Sequence, residues 1–137
     1  MTTAVIAATL LVAAGGAHVV WAAGGRIGLA AAIPQIDGRP MFAPGRVTTL
    51  VVALALFLLA ALVVWREGLI VLPLPFAIAR VGVPLMALVF LARAIGNFRY
   101  VGWSKRVRGT AFARLDDLLY APLCAVLAVC FAVVGCN

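Results

Sequence analysis

The side chains in this sequence that could do chemistry are few and easily placed. Among 137 residues there are one histidine, four acids, three cysteines and 11 lysines and arginines. His18 stands alone in an apolar run. An ionisable group in such a setting is a functional candidate by default, and a neutral imidazole hydrogen-bonded to a neighbouring helix is the competing view. Asp116 and Asp117 open the last apolar run, with Tyr120 one turn further on, while Arg93, Asn97 and Arg99 close the run before it. Guanidinium groups such as those of Arg93 and Arg99 can hold a carboxylate or phosphate in bidentate fashion. His18 and Asp116 together could act as acid and base. A purely structural reading competes with both. Acids in a first helical turn favour the positive end of the dipole, and Arg93 and Arg114 are ready partners for them.

Other chemistries lack their residues. Cys124, Cys130 and Cys136 recur every six positions, about 240° apart on a helix at 100° per residue, so they do not share a face. There is no CxxC, and the three read as small packing residues. A single histidine excludes haem held by two histidines, and a zinc site would need cysteines near His18. No nucleophile elbow or phosphate loop is present. Neither a metal nor another cofactor is expected.

The elements that must position these groups follow from composition. Hydrophobic residues make up 66% and charged ones 11%, with a mean hydropathy of +1.21. Soluble domains hold about 45–50% apolar and about 25% charged residues, and disordered chains are more polar still. A water-soluble fold of this length could not hide so much apolar surface. Four runs, about 3–23, 48–65, 74–95 and 118–135, are long enough to cross about 30 Å of hydrocarbon as helices. They are continuously apolar rather than alternating, which makes strands a poor alternative. The first run has no Lys or Arg ahead of it and reads as a retained helix rather than a signal. The fold class is all-α, an integral membrane four-helix bundle in one domain over 1–137.

Basic residues set the expected orientation. Arg26, Arg39 and Arg46 lie between the first two spans; Arg93, Arg99, Lys105, Arg106, Arg108 and Arg114 lie around the loop between the last two. Only Arg66 and Arg80 fall on the other side. Such asymmetry predicts cytoplasmic first and third loops and both termini outside. Anionic lipid headgroups are the expected partners of the basic face, and nucleic acid is not, because no binding motif accompanies the charges. Arg80 either snorkels outward or pairs with Glu67, and Pro84 should bend the helix beside it.

The loops differ in character. Loop 1, residues 24–45, carries Pro34, Pro40 and Pro44, and its apolar 27–33 stretch is too short to span. That stretch lies in the interface or dips onto the bundle, where packing must satisfy its backbone. Loop 2, residues 66–71, is a tight turn. Loop 3, residues 97–114, mixes five basic residues with Phe98, Tyr100, Trp103 and Phe112, a composition suited to headgroup depth.

The run RAIGNFRYVGWSKRVRGTAFARLDDLLYAPLC, residues 93–124, resembles a bacterial family of small four-helix membrane proteins of unknown function. His18 with Trp21 and Ala22, and Pro34, Pro40, Phe42 and Pro44, belong to the same resemblance. It covers nearly the whole chain and implies architecture only, with no activity attached; the expected location is a bacterial cytoplasmic (inner) membrane.

All four spans present polar groups at the end carrying loops 1 and 3. His18, Arg93, Asn97, Arg99, Asp116 and Tyr120 are the expected ligand-binding set, gathered in one cavity or polar cluster where the helix ends converge. The favoured reading is a module that binds or transports a small anionic or amphipathic molecule at the cytoplasmic face. An accessory subunit is the alternative, with the small residues Ala13, Ala14, Gly15, Gly16 and Ala17 packing against a larger membrane partner or a second copy. A membrane enzyme acting on a lipid-like substrate is the third.

Overall fold

The computed structural model describes residues 1–137. Four helices are long and apolar enough to cross a membrane: Thr2–Ala22 (α1), Arg46–Arg66 (α3), Ala77–Ile95 (α4) and the Ala111–Cys136 helix. In hydrocarbon a chain must satisfy its own backbone, and a helix does so within one segment. Each helix buries a narrow stripe. On α1 it is Ala4, Ala7, Leu11 and Gly15, at the three- and four-residue spacing of one helical face. The facing stripe of the last helix includes Leu127, Cys130, Phe131 and Val134. The remaining surface is also apolar, with Leu58, Leu88, Leu118 and Val129 all exposed. Apolar residues on every side of a helix suit a lipid surround. The protein is an all-α bundle of four membrane helices.

The helices associate as two tight pairs, α1 with α3 and α4 with the last helix, joined chiefly where α1 meets the last helix. Gly15 allows the first pair to approach closely: a Cβ there would lie 2.8 Å from the Phe57 ring. Part of the small-residue patch on α1 is thus used inside the chain.

At one end, the Met1 ammonium and the Asn137 amide both reach the Glu67 carboxylate, the latter at 2.9 Å. The ammonium, with the amide beside it, holds the Glu67 carboxyl below the usual carboxylate range. Both termini and loop 2 therefore share one end of the bundle, and loops 1 and 3 share the other.

Several boundaries move relative to the sequence reading. Pro73 and Pro75 push the residues before them out of helical geometry, so α4 starts at Ala77 and not near 74. Arg80 consequently sits in the first turn, exposed and without an ion pair, since Glu67 is engaged elsewhere. The helix continues through Pro84 to Ile95.

The last helix starts earlier than 118. Thr110 caps it, its hydroxyl accepting from the Ala113 amide at 3.0 Å, and residues Ala111–Leu115 form α5. Asp116–Tyr120 is a π-helical turn, in which the Ala121 amide reaches back to the Asp116 carbonyl, and Ala121–Cys136 is α6. Pro122 supplies the reason: it has no N–H, and its ring crowds the carbonyl four residues back, so the ladder opens there. Asp116 and Asp117 are therefore inside a continuous helix, and a first-turn dipole role does not apply to them.

Loop 1 is more ordered than its prolines suggest. It holds a short helix, Leu29–Ala32 (α2), and a two-stranded hairpin of Gln35–Ile36 (β1) and Arg39–Pro40 (β2). Asp37 and Gly38 form the turn with φ of 50° and 75°, the conformation that Asp-Gly pairs adopt in tight hairpins. The α2 helix packs against α5.

Candidate functional site

Two separate structures occupy the end that carries loops 1 and 3. The first is built on Asp116, which is wholly buried. Its Oδ1 accepts from Arg93 Nη2 at 2.9 Å, and its Oδ2 accepts from the Gly102 amide at 2.7 Å and from Lys105 Nζ at 3.1 Å. The Lys105 ammonium is buried too, and donates also to the Gly102 carbonyl at 3.1 Å and to Asp117 Oδ1. All three of its protons are used. Asp117 Oδ2 accepts from Arg108 Nη1 at 3.1 Å, and Arg108 Nη2 reaches the Trp103 carbonyl at 3.3 Å. Taking a charge out of water is costly unless each is paired and hydrogen-bonded; here both buried charges are.

The rest of loop 3 is folded around this lock. Asn97 Oδ1 accepts from the amides of Arg99, Tyr100 and Val101 at 3.1, 2.8 and 3.0 Å, a side chain standing in for a backbone turn. Ser104 donates to the Ile95 carbonyl at 2.6 Å and accepts from the Phe98 amide at 3.2 Å. Gly96 and Gly102 touch backbone to backbone: a Cβ on Gly96 would fall 1.7 Å from the Val101 oxygen, and one on Gly102 2.4 Å from the Gly96 Cα. Arg99 lies outside the lock with its guanidinium over the Tyr100 ring, 5.1 Å from the centroid. Arg114, an expected partner of the acids, is exposed and forms no ion pair.

The second structure is a cavity of about 210 Å³ between α1, α3 and loop 1. His18 and Trp21 supply one wall, Thr48, Thr49 and Val52 of α3 another, and loop 1 covers it with Leu29, Ala32, Ile33, Phe42 and Pro44. His18 Nδ1 lies 2.8 Å from the Ala14 carbonyl, and its ring meets Trp21 edge-on at 4.9 Å between centroids. Trp21 Nε1 donates to the Ile27 carbonyl at 2.8 Å and so ties the start of loop 1 to α1. Thr49 donates to the Gly45 carbonyl at 2.9 Å. His18 Nε2 and the Thr48 hydroxyl make no hydrogen bond within the protein.

Of the six residues expected to form one binding set, Arg93 and Asp116 therefore belong to the lock, Asn97 to the loop 3 turn folded around it, and Arg99 lies outside the lock. His18 belongs to the cavity, with no hydrogen bond to Asp116. Tyr120 stands between them. Its ring stacks near Phe112 at 6.0 Å, and its hydroxyl points to the Ala31 carbonyl at 3.5 Å. Lys105 is the pivot that sequence reasoning did not single out. One signal for it was available: two adjacent acids facing inward need more cationic donors than Arg93 alone.

No curated protein and no solved structure matches this chain. A family profile does, over residues 11–131, which takes in His18, the whole of loop 1, the loop 3 lock and most of α6. With the four membrane helices and the folded loop 3 run, that match is decisive: the chain belongs to the family described as "Protein of unknown function (DUF3995)".

Proposed function

We propose that this small multi-pass membrane protein binds a small amphipathic molecule in the His18 cavity, at the end that carries loops 1 and 3. One observation carries the reading. At the cavity an open apolar wall meets polar atoms that the fold leaves unused, His18 Nε2 and the Thr48 hydroxyl. In the lock, by contrast, every carboxylate oxygen and every Lys105 proton has a partner, and Arg93 Nη1 is buried without one, beside its paired Nη2. Small-molecule sites combine mostly apolar walls with a few placed polar groups.

The distribution of charge supports one orientation. Arg26, Arg39, Arg46, Arg99, Arg106 and Arg114 form no ion pair, and all six are exposed at the same end. By the rule that cytoplasmic loops carry the excess of Lys and Arg, this end faces the cytoplasm of a bacterial inner membrane. There it attracts anionic headgroups. Alkaline phosphatase fused after Asn137 should then be active, and fused after Lys105 inactive; the opposite pattern reverses the orientation.

Native mass spectrometry of the protein, extracted in mild detergent, tests the binding. An adduct of small mass is expected on the wild type. It should be lost in Ala32→Phe, which fills the cavity from loop 1. An adduct retained by the filled variant, or none on either protein, overturns the reading.

A further inference from the structure

We infer that the His18 cavity selects an uncharged molecule carrying a hydroxyl on a flat apolar ring, with the hydroxyl donating to His18 Nε2. This deepens the amphipathic-ligand reading and rests on it. The imidazole's anchoring decides its tautomer. Nδ1 lies 2.8 Å from the Ala14 carbonyl, a group that can only accept, so Nδ1 carries a proton. In the neutral ring the other nitrogen is then an acceptor with a free lone pair. Nε2 has no protein partner, and the ring that bears it forms part of the cavity wall. A ligand that donates a hydrogen bond satisfies it.

Charge narrows the class. The cavity wall contains no charged side chain. An anion entering it would leave water without gaining a counter-charge, a costly transfer, and would meet the Nε2 lone pair. A cation would have to pass the six unpaired arginines at the same end, against Asp37 as the one acid there outside the lock. An uncharged donor meets neither obstacle. Shape narrows it further. Trp21, Phe42 and the Pro44 ring give the cavity flat walls, which stack on rings. Its volume of about 210 Å³ compares with about 150 Å³ for an engineered cavity that holds benzene, leaving room for one ring or two fused rings. Thr48, an exposed residue of the α3 wall whose hydroxyl makes no hydrogen bond within the protein, offers a second partner.

Three probes that share one ring system test this: 2-naphthol, naphthalene and 2-naphthoate. Each is titrated at pH 7 into the protein in phosphatidylcholine nanodiscs, with partition into protein-free nanodiscs subtracted. Because the chain has a single histidine, ¹⁵N-histidine labelling gives one imidazole to follow. Naphthol should bind about 2- to 12-fold tighter than naphthalene, the yield of one neutral hydrogen bond, and naphthoate should bind most weakly. The Nε2 resonance should move with naphthol alone, from a ring already protonated at Nδ1. His18→Phe should bring naphthol down to the level of naphthalene, and Ala32→Phe should remove saturable binding of all three. Equal affinities for naphthol and naphthalene, an unmoved Nε2 signal, or a ring protonated at Nε2 instead would overturn the hydroxyl assignment while leaving the amphipathic cavity standing. Naphthoate as the tightest ligand would overturn the uncharged class. No saturable binding by any probe would overturn the cavity reading itself.

Discussion

Loop 3 and loop 1 lie side by side at one end of the bundle, yet they are built on opposite principles. Loop 3 is dense in charge, and the groups it turns inward are mostly paired within the protein, while Arg99, Arg106 and Arg114 stay exposed: Asp116 takes three donors, Lys105 gives three protons, and Asn97 takes three amides. Loop 1 is mostly apolar, held by a few bonds such as Trp21 to Ile27 and Gln35 to Ala30, and it leaves a cavity beneath it. A buried charge must be satisfied or it destabilises the fold, so a charge-rich motif at membrane depth closes on itself. The cavity at this end is found under the blander loop. Density of ionisable residues here goes with internal pairing, and the imidazole nitrogen without a protein partner belongs to a residue that lines the cavity.

The largest effect that can break this contrast is in the lock. Lys105→Ala leaves Asp116 buried with Arg93 as its one remaining cation and takes from Asp117 its buried partner. Removing one member of a buried pair costs about 3–5 kcal/mol, and thermal or SDS unfolding in micelles should show a loss of that size. Arg108→Ala provides the internal control. It touches the same Asp117, but its side chain is 59% exposed, and exposed pairs contribute about 0–1 kcal/mol. Equal losses from the two substitutions would mean that burial of Lys105 is not what matters, and loop 3 would cease to be a lock.

How much of this could be read from the residues alone divides along the same line. Continuous apolar runs specify membrane helices with little ambiguity, because only a helix satisfies its backbone in lipid within one segment and barrel strands alternate, and the four spans are where the runs are. The start of the last helix was less legible. Arg114, Asp116 and Asp117 interrupt the apolar pattern, and hydropathy cannot distinguish a charged loop from a helix whose charges are paired inside. Thr110, a capping residue, and Pro122, a ladder-breaker, were the marks of the true boundary and of the π turn. Likewise Asp37-Gly38 is a strong hairpin signal, which an account of loop 1 by its prolines and its apolar stretch passes over. His18, Arg93 and Asp116 were each recognisable as uncommon groups at one depth. Their division between two structures was not, because depth along a helix says nothing of which neighbour a side chain faces. Lys105 was hidden for a related reason: in a run of five basic residues, only tertiary packing shows which one turns inward.

A smaller effect sharpens the comparison by holding backbone conformation fixed and changing only the surroundings. Gly102 in loop 3 and Gly28 in loop 1 have nearly the same φ, +79° and +73°. In either place an alanine incurs the left-handed penalty of about 1–2 kcal/mol. Around Gly28 nothing lies within 4 Å of the added Cβ, so Gly28→Ala should cost that and no more. Around Gly102 the Cβ would fall 2.4 Å from the Gly96 Cα and 2.5 Å from the Ile95 oxygen. Both are backbone atoms, which cannot swing aside as a side chain would. Overpacking adds about 1–3 kcal/mol, and relief requires loop 3 to move off α4, carrying the Gly102 amide away from Asp116. Gly102→Ala should therefore lose more stability than Gly28→Ala. It should also show a second signature, faster amide exchange at the Gly102, Trp103 and Ser104 positions that anchor loop 3. Gly28→Ala should leave those amides protected and alter the His18 cavity instead, since Gly28 precedes α2, which covers it. Matching losses and matching exchange in the two variants would show that the loops are equally loose, and the contrast between a closed lock and an open cavity would fail.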